Sequence, residues 1–320
     1  MHAFSNIIGQ EPLVRRLQNT NAGHAYIFDG AEGMGKFALA CAFAKALQCE
    51  KHDKIDKNDK KPFLQACDKC ISCRVFESGN HPDIFFVEAS KTKSIGVDDA
   101  REQIILPMGE KPFRYKYKIF IVNKAETLTP AAQNALLKTI EEPAPFGVFL
   151  FLATHTRSFL PTVLSRCVTL KFKPVADSLV AESLRQANVP EAVIVPCTLF
   201  AKGNPGRALA MAQSEDFAAM RALAQEVADR VQGMERVSVF KMYNRFEPWR
   251  ESIQPLLDML YLCYREKLGK SGALLLKPYL SGLDTITQTK RVLHRNGNFQ
   301  LAIELMLIKL SAPGETYKGA

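Results

Sequence analysis

A glycine-rich loop that ends in lysine is the first feature of the sequence able to do chemistry. Gly30, Gly33, Gly35 and Lys36 fit the spacing G-x-x-x-x-G-K, after an apolar run and before a helical pattern. In such loops, backbone N–H groups and a helix N-terminus cradle phosphates, and the lysine reaches the terminal ones. The spacing and its context predict the phosphate loop of a P-loop fold.

The groups that would hold Mg²⁺ beside this loop are replaced. Phe37 stands where the motif needs a hydroxyl. An ATPase also needs carboxylates directly after the apolar run 118–122, and this chain has Asn123 and Lys124 there. A neutral amide and an ammonium do not neutralise a transferring phosphoryl group as Mg²⁺ does. Glu126 lies two residues beyond the required position. We expect no hydrolysis by this chain's own site, while weak binding of ATP stays open.

Four cysteines in one segment form a second candidate site. Cys67, Cys70 and Cys73 are each separated by two residues, and Cys49 ends the predicted helix before them. Four sulfurs at about 2.3 Å satisfy tetrahedral Zn²⁺ and leave no position for a substrate, so a structural zinc ion is expected. Bacterial iron–sulfur clusters have related spacing, but they continue to a cysteine where this chain has Glu77.

Other residues around this segment leave smaller alternatives open. His52 or His81 could replace one cysteine as a ligand, and free thiols without metal are a further possibility. The polar, lysine-rich stretch 50–61 is expected to be an exposed loop. The remaining cysteines are expected to be ordinary buried residues: Cys41, Cys167, Cys197 and Cys263.

An arginine at the end of a predicted helix is the third candidate. Arg166 lies between Ser165 and Cys167. Such a residue usually makes a surface ion pair that contributes little to the stability of the fold. Beside a defective phosphate loop, a guanidinium could instead reach the γ-phosphate bound by a neighbouring chain and stabilise its transition state. The residues alone leave both interpretations open.

The elements that must position these residues change character along the chain. In the first half, short apolar runs alternate with helical patterns, which predicts a parallel sheet covered on both faces. After Pro174 we expect only helices, broken near residues 203–206 before a helix from Arg207. The predicted strands cover 25–28, 83–87, 118–122 and 148–153, and the helices between them cover 11–18, 35–47, 97–106 and 130–142.

Composition limits the class of protein. With 47% hydrophobic and 23% charged residues, the chain is neither fibrous nor disordered. It has no membrane-length apolar run and no export signal, so a soluble cytoplasmic protein without a membrane partner is expected. The net charge of +9 suits an anionic partner such as DNA. A basic loop is expected to be plain surface rather than a DNA contact; it carries Lys111, Arg114, Lys116 and Lys118.

Several separated motifs together resemble the AAA+ clamp-loader subunits of bacterial DNA polymerase III, over about residues 5 to 210. Besides the phosphate loop and the cysteine insertion, they are Ile-Ile-Gly-Gln at 7–10, the stretch at 128–143, Thr154, Ser-Arg-Cys at 165–167 and Gly-Asn-Pro-Gly-Arg-Ala-Leu at 203–209. The resemblance implies a RecA-like P-loop (AAA+) core at 1–172 with a zinc module at about 49–73. A helical lid at 173–212 and an all-α collar domain at 213–320 would follow.

The resemblance also implies a role. The chain would be a non-hydrolysing subunit of a hetero-pentamer with gamma/tau and delta subunits, which loads the β sliding clamp onto primer–template DNA. Arg166 would act in trans as an arginine finger, and Arg207 would belong to the degenerate nucleotide site. The alternative is an autonomous, gamma/tau-like ATPase with an atypical Mg²⁺ site. A zinc-dependent DNA-binding module is disfavoured, because only Lys69 and Arg74 add positive charge beside the cysteines.

Overall fold

The computed structural model of the chain describes residues 4–19, 23–51, 64–90, 93–270 and 276–311. These residues form two compact units, Met1–Leu209 and Ala210–Ala320. His52 and most of the expected 50–61 loop lie outside the described residues. The three-domain division implied by the resemblance stays a prediction.

A five-stranded parallel sheet forms the centre of the first unit, in the order β2-β3-β4-β1-β5. The four predicted strands are confirmed. The apolar pattern misses the fifth, because only Leu170 among its four residues is buried. The strands are β1 (Ala25–Asp29), β2 (Ile84–Val87), β3 (Lys118–Val122), β4 (Gly147–Ala153) and β5 (Val168–Lys171).

Both faces of this sheet are buried, which explains why the central strands are almost continuously apolar. Successive residues of β1 show this: Ile27 packs into the cluster on one face and Phe28 into the cluster on the other, and both are fully buried. Phe120 stacks on Phe149 with ring centroids 5.6 Å apart. Burying each such side chain stabilises the fold by about 1.5–3 kcal/mol.

Helices connect the strands of the first unit and then continue without further strands. The predicted helix at 97–106 is interrupted by a π-helical turn at Arg101–Ile105. The helix predicted from Arg207 begins two residues earlier, at Pro205. The helices are α1 (Glu11–Gln18), α2 (Lys36–Leu47), α3 (Ile71–Glu77), α4 (Val97–Ala100), α5 (Leu106–Met108), α6 (Pro130–Glu141), α7 (Pro161–Leu164), α8 (Asp177–Gln186), α9 (Glu191–Ala201) and α10 (Pro205–Gln213).

Local sequence fixes where α2 and α6 begin. Gly35 precedes α2 with a left-handed φ of 85°, a conformation in which glycine has no steric penalty. Thr129 caps α6, since its side chain accepts a hydrogen bond from the Ala132 N–H at 3.2 Å. Pro130 follows at the first helical position, as the sequence predicts.

Residues at the start of α10 are hydrogen-bonded to the phosphate loop. Asn204 donates through Nδ2 to the Glu32 carbonyl at 2.7 Å, and the Gly206 N–H donates to the Gly33 carbonyl at 3.0 Å. A Cβ on Gly33 would lie 2.9 Å from the backbone nitrogen of Arg207, so the two segments meet backbone to backbone. This close approach requires glycine at both Gly33 and Gly206.

The described residues of the second unit form helices and the turns between them, as predicted. Ser214 caps the first of these helices by accepting a hydrogen bond from the Phe217 N–H at 3.2 Å. Across the described part of the chain, no helix is both long enough and apolar enough to cross a membrane. The helices are α11 (Glu215–Arg230), α12 (Arg236–Tyr243), α13 (Ile253–Lys270), α14 (Leu276–His294) and α15 (Phe299–Ser311).

Substituting Gly206→Ala should separate the phosphate loop from α10. The added methyl would lie 2.6 Å from the Cα and carbonyl oxygen of Gly33, which are backbone atoms that cannot rotate away. We expect the free energy of unfolding to fall by about 1–3 kcal/mol. Gly269→Ala is the control: its Cβ would meet nothing within 4 Å, so helix stability should rise by about 0.5–1 kcal/mol. Calorimetric unfolding would measure both; an unchanged Gly206→Ala melting profile would contradict the close approach.

Candidate nucleotide, metal and arginine sites

The predicted phosphate loop leaves the sheet at the carboxyl end of β1. The Gly30 N–H donates to the Ala153 carbonyl at 3.2 Å, which ties the loop to the end of β4. Ligands of open parallel sheets bind outside the carboxyl ends of the strands. The loop therefore lies where a ligand of this kind of sheet is expected.

A cavity of about 460 Å³ opens at this edge. Of the predicted nucleotide residues, Gly33, Gly35 and Lys36 line it, whereas Gly30 and the exposed Arg207 are not among its lining residues. Its other lining residues come from the loop, from α2 and from the ends of β3 and β4: Glu32, Phe37, Ala38, Asn123, Lys124, Glu126, Leu152 and Thr154.

Lys36 is bonded to its own loop. Its ammonium donates to the carbonyls of Gly30 and Ala31, the latter at 2.9 Å. Burial lowers the pKa of Lys36 below its usual value, and the nearby carboxylates, Glu126 foremost, oppose that shift. The loop thus has the lysine that a phosphate would need, with two of its three N–H donors engaged by backbone oxygens.

Phe37 and Glu126 line the part of the cavity in which the sequence analysis expects the Mg²⁺ ligands to be replaced. The Phe37 ring is 44% exposed and packs on Phe86 with centroids 5.9 Å apart, so it offers no oxygen ligand. The Glu126 carboxylate, which the sequence places beyond the required position, nevertheless lines the cavity. It accepts hydrogen bonds from the Thr154 hydroxyl at 3.0 Å and the Thr154 N–H at 3.3 Å.

A smaller cavity of about 260 Å³ adjoins the same loop. Its apolar lining includes Ile7, Ile8, Met34, Pro205 and Leu209. An apolar cavity next to a phosphate loop is what the base of a nucleotide requires. The N-terminal segment and α10 therefore complete a site that could accommodate a nucleotide in shape.

The four cysteines converge as their spacing predicts. Their sulfur atoms all lie within 4.8 Å of one another, and the sulfurs of Cys49 and Cys70 are 4.0 Å apart. A tetrahedron of sulfurs with bonds of about 2.3 Å has edges of about 3.8 Å, so the arrangement fits a metal ion. Burial raises the pKa of Cys67, but hydrogen bonds from the Lys69 and Cys70 N–H groups and with neighbouring thiols outweigh it and lower the pKa to about 7.

His81 lies outside this cluster. Its Nε2 is 3.2 Å from the Ser72 hydroxyl, and its Nδ1 accepts from the Asp83 N–H at 3.3 Å. The ring also packs on Tyr115 with centroids 4.5 Å apart. Both nitrogens are engaged, and the group of four sulfurs does not include this side chain. His81 therefore supports the cysteine module without being one of its four candidate ligands.

A buried lysine that the sequence analysis did not select joins the cysteine module to α2. Lys45 is 1% exposed, and its Nζ lies 2.5 Å from Asp68 and 2.6 Å from Glu77. Burial lowers the pKa of Lys45, but the two carboxylates more than offset this and raise it above its usual value. The available signal was a lysine in the interior of a helix that, after Lys36 at its start, is otherwise built from alanine, leucine, phenylalanine and cysteine.

The backbone of the basic loop before β3 is hydrogen-bonded to a buried carboxylate. Asp83 accepts hydrogen bonds from the N–H groups of Phe113 at 2.6 Å and of Arg114 and Tyr115 at 3.2 Å. Lys118 is 4% exposed and donates to the Pro107 carbonyl at 2.7 Å. Lys118 therefore does not belong to the surface of this loop, which keeps three exposed cations: Lys111, Arg114 and Lys116.

Arg166 lies at the surface, two residues after α7. Its Nη1 donates to the Thr162 carbonyl at 2.9 Å and to the Ser165 hydroxyl at 3.1 Å. Its Nη2 is 2.8 Å from a carboxylate oxygen of Glu141. The side chain is 38% exposed, so the guanidinium is held in place and still reaches solvent.

Gln133 braces the segment that precedes Arg166, a role that the sequence analysis missed. This buried side chain on α6 donates through Nε2 to the Ser158 carbonyl at 2.9 Å and accepts through Oε1 from the Leu160 N–H at 2.8 Å. Buried amides are costly unless bonded, so the contacts fix the β4–α7 connection to α6. The only signal for this role in the sequence was the position of the glutamine, one helical turn after the Thr129 cap.

Comparison with known proteins identifies relatives of the chain. The family described as DNA polymerase III, delta subunit, matches residues 9–176. The chain is 24% identical to the DNA polymerase III subunit delta' of Bacillus subtilis, covering 93% of this chain and 94% of that protein. It is 31% identical to the delta' subunit of Escherichia coli, covering 68% of this chain and 63% of that protein.

Similarity to the longer gamma and tau subunits is confined to part of those proteins. The chain is 32% identical to the tau subunit of Bacillus subtilis over 55% of this chain and 30% of that protein. It spans less than a third of the length of the gamma and tau relatives that it matches. The likeness to the Bacillus delta' subunit, by contrast, extends over nearly the whole of both chains.

Replacing Cys70 with serine should remove the metal from the cysteine module. Cys70 Sγ lies 4.0 Å from Cys49 Sγ and also accepts from the Cys73 N–H, so its loss opens the coordination shell. We expect bound metal, measured by elemental analysis of the purified chain, to fall from about one ion to none. Cys167→Ser, at a thiol outside the group of four, is the control and should keep its metal. Full metal content in Cys70→Ser would contradict the ligand assignment.

Proposed function

The chain belongs to the DNA polymerase III delta subunit family, and from this we propose that it is a clamp-loader subunit that hydrolyses no ATP itself and supplies Arg166 to ATP held by a neighbouring subunit. The observation that carries the proposal is a pairing of two features. A phosphate loop in which Phe37 and Asn123 replace the hydroxyl and the carboxylate that would bind Mg²⁺ occurs in the same chain as a surface guanidinium fixed by three contacts.

The residues that line the chain's own cavity are better suited to binding ATP than to hydrolysing it. Hydrolysis needs a cation that neutralises charge on the transferring phosphoryl group and a residue that orients water. Phe37, Asn123 and Lys124 provide neither at the positions where such enzymes hold Mg²⁺. ATP would therefore bind weakly or not at all, through Gly33, Gly35 and Lys36.

The surroundings of Arg166 support a role in trans. A finger must be presented in a fixed orientation to a phosphate outside its own chain, because its effect depends on position. Thr162, Ser165 and Glu141 hold the guanidinium, which remains partly exposed. Three of its five N–H donors are used by these contacts, which leaves donors for a partner's phosphate.

The proposed partners follow from the family and from charge. The chain would assemble with gamma/tau and delta subunits into a hetero-pentamer that loads the β sliding clamp onto primer–template DNA. Its net charge of +9 is suited to work next to DNA phosphates. The ion in the cysteine module would be Zn²⁺ in a structural role, because four cysteine sulfurs leave no open coordination position.

Loss of the guanidinium should slow ATP hydrolysis by the assembled loader. Arginine fingers contribute about 10³- to 10⁵-fold at the site that they serve, so Arg166→Ala should abolish turnover at one site and lower the total DNA-stimulated rate. Arg166→Lys should not rescue it, because an ammonium lacks the planar fork. The measurement is steady-state ATPase activity of the complex reconstituted with gamma/tau and delta subunits.

Arg157→Ala, at an exposed arginine nearby, is the matched control and should leave the rate unchanged. Assembly is checked by the mass of each complex. A normal rate in a complex containing Arg166→Ala would rule out the finger. The autonomous ATPase is tested separately: turnover by the isolated chain that Lys36→Ala abolishes would contradict a non-hydrolysing subunit.

A further inference from the structure

The carboxylate of Glu126 lines the chain's own cavity together with Lys36, and we propose that it stands in for a nucleotide's terminal phosphate and keeps triphosphates out. This goes beyond the proposed function, which depends on a phosphate bound by another subunit. It assigns the weak or absent ATP binding that we propose for this chain to Glu126, a residue outside the phosphate-loop motif.

Glu126 is held in the cavity by hydrogen bonds to both of its oxygens. The Thr154 N–H donates to one oxygen and the Thr154 hydroxyl to the other, at 3.3 and 3.0 Å. Thr154 follows β4 directly, and Glu126 lies in the 3₁₀ turn Ala125–Thr127 after β3. The parallel pairing of these strands brings the two residues to the same edge, so the carboxylate is fixed by the sheet.

The carboxylate is the main counter-charge of Lys36. Among the three carboxylates that raise the pKa of Lys36 against burial, Glu126 acts more strongly than Glu32 and Asp29. The lysine ammonium meanwhile donates to carbonyls of its own loop. The side chain that would receive a phosphate therefore already has two bonds to backbone oxygens and carboxylates nearby within its own chain.

A triphosphate entering the cavity would meet Glu126 as a like charge. Enzymes of this type tolerate carboxylates near the phosphates because Mg²⁺ lies between them. Here Phe37 has no oxygen, and Asn123 contributes only a neutral amide. Repulsion between the terminal phosphate and the carboxylate at a few ångströms is strong enough to weaken ATP binding by about tenfold.

The opposite role for Glu126 predicts the opposite behaviour. If its carboxylate coordinated Mg²⁺ in place of the missing aspartate, it would strengthen Mg²⁺-dependent binding, and its removal would weaken that binding. If it replaces a phosphate, its removal strengthens binding of ATP even without a divalent cation. The two roles therefore differ in the sign of one measurable change.

Titration of the isolated full-length chain with ATP separates them, by calorimetry with EDTA and again with Mg²⁺. In EDTA, Glu126→Gln should bind ATP about tenfold more tightly than the unchanged chain, because the amide keeps the shape and removes the charge. Glu142→Gln, at an exposed carboxylate on the end of α6, is the charge-matched control and should bind as the unchanged chain does. Adding Lys36→Ala to Glu126→Gln should abolish the gain, which locates it in this cavity.

Glu126→Ala provides a second variant, and the unfolding midpoint of each protein reports whether the fold is intact. An unchanged affinity in both folded variants overturns the proposal. So does Mg²⁺-dependent binding by the unchanged chain that Glu126→Gln abolishes. Neither result bears on Arg166, whose test uses ATP bound by another subunit.

Discussion

Parallel pairing of β1, β3 and β4 is the constraint on which the candidate nucleotide site depends. Residues Ile27, Phe120 and Leu150 belong to adjacent strands that all run in the same direction, so their carboxyl ends reach one edge of the sheet. The phosphate loop, the turn containing Glu126 and the residue Thr154 follow these ends. Burial of both faces of the sheet fixes this register, because a slip of one residue would exchange the two faces of every strand.

At the same edge, Phe37 and Asn123 replace a hydroxyl and a carboxylate that would bind Mg²⁺, and the chain nevertheless retains the architecture of the phosphate loop. Gly33 meets Gly206 at backbone distance, and Lys36 is bonded to the carbonyls of its own loop. These contacts stabilise the loop from within the chain. A subunit that keeps the shape of an ATPase and contributes an arginine to its neighbour would need such internal support, since no bound triphosphate would order its loop.

Buried charges join the parts of the first unit that hydrophobic packing alone would leave independent. Lys45 connects α2 to the cysteine module, Asp83 organises the loop before β3, and Lys118 closes that loop by bonding to the Pro107 carbonyl. Each is paired or hydrogen-bonded, since an uncompensated buried charge would cost several kcal/mol. Removing a metal from the cysteine module would therefore disturb more than the module, because Lys45 ties Asp68 and Glu77 to the helix of the phosphate loop.

The sequence by itself determined the features that depend on residue type and local spacing. These are the phosphate loop with its missing Mg²⁺ ligands, the four converging cysteines, the parallel sheet with four of its five strands, and the helical second half. Such features follow from short-range rules of periodicity, capping and ligand spacing. The sequence did not predict the strand β5, because an edge strand with a single buried residue has no apolar pattern to detect.

Only the tertiary structure decided which distant side chains meet. The partners Glu126 and Thr154, Arg166 and Glu141, and Lys45 and Glu77 are 25 or more residues apart along the chain, and no local rule connects them. It also removed Lys118 from the exposed basic loop and His81 from the group of candidate metal ligands. The physical reason is that burial and charge pairing depend on the packing of whole elements, which spacing along a sequence does not specify.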